Sequence, residues 1–121
     1  MGKNTVTVGT TFVTGVTINL ANHTGGDLKV TIAGDWTSHG AIGYLAEFFI
    51  QQGDASALAQ PGTVIREVTN QHDSSYITEQ ILDPTLNSGN ADFKIQFKTD
   101  AGTATSATII YEYIGIANSV T

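Results

Sequence analysis

Three histidines, His23, His39 and His72, are the side chains best suited to hold a metal or move a proton near neutral pH. None stands in an H-x-H or HExxH spacing, so no zinc-hydrolase motif is present. His72 lies next to Asp73 with serines close by, which are the residue types of a hydrolase triad. No serine has the G-x-S-x-G context that lifts a nucleophile onto a sharp turn. The plainer reading is that all three histidines are polar loop residues. Four glutamates, Glu47, Glu67, Glu79 and Glu112, fall inside strand-like runs. Two carboxylates opposed across a cleft can act as acid and base on a glycosidic bond. A small sandwich with no large insertion leaves little room for such a cleft. Glu67 beside Arg66 is more simply part of a strand-face ion pair. The sequence therefore reads as a non-enzyme.

Two loops carry weaker signals. Asp83 to Asp92 (DPTLNSGNAD) places oxygen donors at alternate positions, as a calcium loop would. Its glycine falls one place late for an EF-hand and no bidentate Glu follows, so Asx turns account for it equally well. No metal and no cofactor are expected. The loop GDWTSHG holds the one tryptophan. Trp36 could stack on a sugar ring or a partner while Asp35 and His39 bond hydroxyls. Trp36 as a core cap or interface anchor ranks ahead of that reading, because one aromatic is thin support for a pocket.

The elements that must position these residues are strands. Val16, Ile18 and Leu20 alternate with Thr17 and Asn19; Leu28, Val30 and Ile32 with Lys29 and Thr31; Phe93, Ile95 and Phe97 with Lys94 and Gln96. This period of two marks half-buried strands. Eight are expected, at 4–8, 11–20, 27–34, 41–51, 63–69, 74–82, 92–98 and 104–116. The segment 74–82 is the least regular and has room for a helical turn. Turn signals include His23-Thr24-Gly25-Gly26-Asp27, Gly34-Asp35, Gly53-Asp54 and Asp100-Ala101-Gly102. Eight short strands suit an all-β, single-domain antiparallel sandwich, jelly-roll-like in character. Residues 11–116 form the sandwich, 1–10 an N-terminal arm able to add a strand to a neighbour, and 117–121 a C-terminal tail.

Two runs are apolar on both faces. In Ala41 to Gln51, Tyr44, Ala46, Phe48 and Ile50 share one face, and Leu45 and Phe49 flank Glu47 on the other. In Thr105 to Ile116, Ala107, Ile109, Tyr111 and Tyr113 share one face, and Ile110 and Ile114 flank Glu112 opposite. A sheet with one wet face does not need the second set. Leu45, Phe49, Ile110 and Ile114 are therefore the candidate interface.

Composition points the same way. Only 13% of residues are charged, about half of what a typical soluble domain carries. Such a surface is poorly protected against association, which favours a homo-oligomer or a larger assembly. The net charge is −6 and the five basic residues are scattered. Direct nucleic-acid binding is not expected. No cysteine is present, which excludes disulfide scaffolds and thiol catalysis. No stretch is long and apolar enough to cross a membrane, and the first residues lack the apolar run of a signal peptide.

In its Thr/Gly/Asn-rich strands, its late strand pair DFKIQFKTDAGTATSATIIYEYIG and its lack of an active-site signature, the chain resembles small virion proteins of tailed bacteriophages. These include capsid decoration (cement) proteins and tail-fibre or spike tips. The resemblance implies a trimer at the outer capsid surface, bound to the major capsid protein or another virion protein. In that reading the protein stabilises the shell by bridging capsid subunits. The alternative is a receptor- or glycan-binding domain on the tail.

Overall fold

The computed structural model describes residues 1–21, 23–36, 40–52, 63–70, 76–82, 85–87 and 90–121, with 63–70 and 85–87 described as backbone. Ten strands occur among them: β1 (Gly2–Val8), β2 (Val13–Leu20), β3 (Thr24–Trp36), β4 (Gly40–Gln52), β5 (Thr63–Asn70), β6 (Ile77–Ile81), β7 (Thr85–Asn87), β8 (Asn90–Thr99), β9 (Thr105–Gly115) and β10 (Ser119–Val120). They build two antiparallel sheets. The first has the order β1-β9-β3-β4-β5. The second has the order β10-β2-β8-β6, with β7 also paired to β8. The expected antiparallel sandwich is formed. Within the first sheet, β9-β3-β4-β5 is a Greek key, three hairpin-linked strands with a fourth returning beside the first.

The alternating runs face as their pattern demands. Leu28, Val30 and Ile32 are fully buried, while Lys29, Thr31 and Ala33 are exposed. Phe48, Tyr44 and Ile109 of the first sheet meet a core shared with Ile18, Phe93 and Phe97 of the second. Each large apolar side chain so buried contributes about 1.5–3 kcal/mol. Tyr44 packs edge-on against Phe97, with ring centroids 5.9 Å apart. Its hydroxyl reaches Glu79 Oε2 at 2.6 Å.

Two local departures from the sequence pattern have physical causes. The Gly34-Asp35 signal is not used as a turn, because β3 runs on to Trp36, which pairs with Gly40. Gly34 serves close packing: a Cβ there would run into the Trp36 ring. In β2 the register shifts between Thr14 and Val16, a bulge at Gly15. A Cβ on Gly15 would meet Phe97 and Ile109 at 2.8 Å. The irregular segment 74–82 supplies a strand, β6, whose Gln80 lies opposite Gln96 of β8.

Both chain ends are parts of the sheets. The N-terminal segment, expected as an arm, holds β1, which runs against β9 from Gly2↔Tyr111 to Val8↔Thr105. The C-terminal tail holds β10. Thr121 and Thr17 exchange backbone hydrogen bonds at 2.8 and 2.9 Å. Asn118 Nδ2 reaches Asn19 Oδ1 at 2.8 Å and Asn90 Oδ1 at 3.0 Å, and Asn19 Nδ2 in turn donates to Asp92 Oδ1 at 2.6 Å.

Candidate interaction face

The four candidate interface residues lie on one surface, the outer face of the first sheet. Directly paired residues of a sheet point the same way. Ile110 pairs with Thr31, and Thr31 pairs with Leu45, so one row crosses β9, β3 and β4. Ile114, Asp27 and Phe49 form a parallel row further along. Phe49 is 44% exposed, Ile110 40% and Ile114 62%, while Leu45 is half-buried. Ile116, just beyond β9, adds another exposed apolar side chain.

Between these two rows, which carry apolar side chains on β9 and β4 and Thr31 or Asp27 on β3, runs a charged one. Glu112 of β9 pairs with Lys29 of β3, which pairs with Glu47 of β4. Arg66 of β5 holds the next register position. From β9 through β3 to β4 the signs therefore alternate. Lys29 Nζ lies 4.0 Å from Glu47 Oε2. An exposed pair at this distance adds about 0.2–1 kcal/mol or less, so its value is in placing charge more than in stability. Glu47 and Glu112, considered above as catalytic carboxylates, thus flank a lysine on a sheet face.

The outer face of the second sheet is different. Gln80 Nε2 donates to Gln96 Oε1 at 2.7 Å, and Gln96 Nε2 donates to Thr14 Oγ1 at 3.0 Å. This ladder satisfies its own polar groups and offers no large apolar side chain along that row. Nearby, Lys98 Nζ sits 4.7 Å above the Phe12 ring. Among the described residues, Phe49, Ile110 and Ile114 put three exposed large apolar side chains on the first sheet, against Leu82 at the end of β6 in the second.

The remaining candidates scatter. Trp36 is fully buried, its ring edge-on to Tyr76 with centroids 5.9 Å apart. An indole in that position has no face free for a sugar. Asp35 is exposed on the strand beside it, and His39 lies outside the described residues. So do His72, Asp73, Asp83, Pro84, Ser88 and Gly89. His23 occupies a turn with φ of 59°. Among the described residues no three His, Cys, Asp or Glu side chains gather as metal ligands. No helix among them is long and apolar enough to cross a membrane.

What the sequence did not show was Lys29 and Thr31 as parts of the face. Their runs read as ordinary wet sides of a strand. Only the register, which sets β3 between β4 and β9, makes them its centre. No protein-family model, curated protein or solved structure matches the chain.

Proposed function

We propose that the protein is a structural assembly subunit whose contact surface is the outer face of the β1-β9-β3-β4-β5 sheet. The observation that carries this reading is the exposure of Phe49, Ile110 and Ile114 together on that one sheet, with Leu45 beside them. The low overall charge supports it, since 13% charged residues leave little to keep such a face in water. Joined to the resemblance in strand style, it favours a virion protein of a tailed bacteriophage. Within that group a capsid decoration (cement) protein, homo-oligomeric and reinforcing the shell by bridging capsid subunits, fits best. A glycan-binding tail tip acting through Trp36 has less support, because the indole is inside the core.

The test is co-sedimentation with empty shells assembled from the major capsid protein of its own virus. The expected outcome is saturable binding and shells that resist heat better when decorated. Absence of binding to such shells would remove the cement-protein reading.

A further inference from the structure

We infer that the occupant of this face is a second copy of the same chain, related by a two-fold axis that runs parallel to the strands between β3 and β4. This rests on the reading of the face as the assembly contact and goes on to name the partner. A two-fold contact requires a surface that complements itself. The charged row does. An axis between β3 and β4 lays Lys29 over the partner's Glu47 and Glu47 over the partner's Lys29, given their direct pairing in the sheet. The four charges then alternate around a square. Further out, Glu112 falls opposite the register position of the partner's Arg66.

The shape agrees with the charge. Beside the row is an open hollow of about 200 Å³, lined by Thr31, Leu45, Ile110, Lys29 and Glu112 among others. Its floor, Thr31, is small and sits between Ile110 and Leu45. The same axis brings the partner's Leu45 over Thr31. Each copy then offers one leucine and one hollow to receive it.

Area and alternatives point the same way. The axis overlays four strands, β9, β3, β4 and β5; about 4.8 Å apart and averaging about eleven residues at about 3.4 Å each, they make a face of about 700 Å². That is about what each partner buries in a stable complex. Another way to stack the sheets with aligned strands puts the axis along the charged row. It would set Lys29 over the partner's Lys29 and Glu47 over the partner's Glu47, and like charges brought together oppose docking. Burying charges at a contact costs desolvation. The alternating square offsets part of that cost and disfavours the two-fold along the charged row.

The experiment is a charge exchange read by sedimentation equilibrium at tens of micromolar chain. The wild type should have twice the 12.7 kDa chain mass. K29E places Glu over the partner's Glu47, and E47K places Lys over the partner's Lys29. Each variant alone should dissociate, with the dissociation constant raised tenfold or more. Mixed one to one, they should re-form a pair, because both cross-contacts are then opposite in sign. Recovery on mixing cannot come from the intrachain Lys29 and Glu47 contact, which stays broken in both chains. A monomeric or trimeric wild type, or a mixture that stays dissociated, would overturn the pairing. Circular dichroism checks that each variant is folded, and L45E provides a second route to a monomer if a charge variant is not. A monomeric wild type whose shell binding is lost with I110E would remove the pairing and keep the face. A clean pair that ignores shells would remove only the virion reading.

Discussion

Trp36 Nε1 donates a hydrogen bond to the carbonyl oxygen of Val8 at 3.1 Å, inside the core. It ties the end of β3 to the end of β1, although β9 stands between these strands in the sheet. Trp36→Ala should destabilise by about 3–5 kcal/mol, the usual range for emptying a buried aromatic site. Trp36→Phe keeps an aromatic ring but leaves the Val8 carbonyl without this donor, which costs about 1–3 kcal/mol. Urea melts of the two variants measure both losses. An unchanged midpoint in Trp36→Ala would contradict the burial of the indole.

The same contact bears on the N-terminus. Val8 is fully buried, and Thr99 N donates to Gly9 O at 2.8 Å. Deleting residues 1–10 therefore removes an edge strand, a core side chain and the acceptor for Trp36. The expected outcome is a chain that loses its cooperative thermal transition or melts at a much lower temperature. A free arm would be removable at no such cost, so a truncated chain that melts like the wild type would show that β1 adds nothing to the fold.

The two faces of β9 separate stability from association. Ile109 is fully buried, whereas its neighbour Ile110 is 40% exposed. Ile109→Ala should cost about 2–5 kcal/mol through the cavity it leaves. For the isolated chain, Ile110→Ala should stay within about 0.5 kcal/mol, as surface changes usually do. Denaturant melts at chain concentrations too low for association compare them directly. Equal losses would mean that Ile110 is packed within its own chain and is no contact residue.

Much of this was legible in the sequence. Period-two runs placed the long strands, and the second apolar set in the runs around Phe49 and Ile110 marked the face before any register was known. Three things were not legible. Gly34 and Asp35 carry turn chemistry, yet the strand continues because the glycine makes room for the Trp36 ring. Ser119 and Val120 are too few to show a period, and they are held on β2 by backbone hydrogen bonds between Thr17 and Thr121 and by the side-chain bridge from Asn118 to Asn19. The Glu112, Lys29 and Glu47 row depends on β9 settling beside β3, from which it is separated by some seventy residues that hold β4 to β8. Local pattern carries no information about that long return.

Tyr113 gives the pH dependence its direction. Its hydroxyl donates to the carbonyl of Ile116 at 3.0 Å, and β9 places it opposite Leu28. Burial first, and the negative charge of Asp27 second, raise its pKa above the ordinary 10.0. Both oppose the phenolate, so the folded chain holds this proton more tightly than the unfolded chain does. The resulting stability is fully present below pH 10.0 and is lost as pH climbs from there through the folded value. Urea melts between pH 8 and 11 should therefore fall more steeply for the wild type than for Tyr113→Phe, with the gap opening only above pH 10.0. Parallel curves through that window would mean that Tyr113 titrates as freely in the folded chain as in the unfolded one.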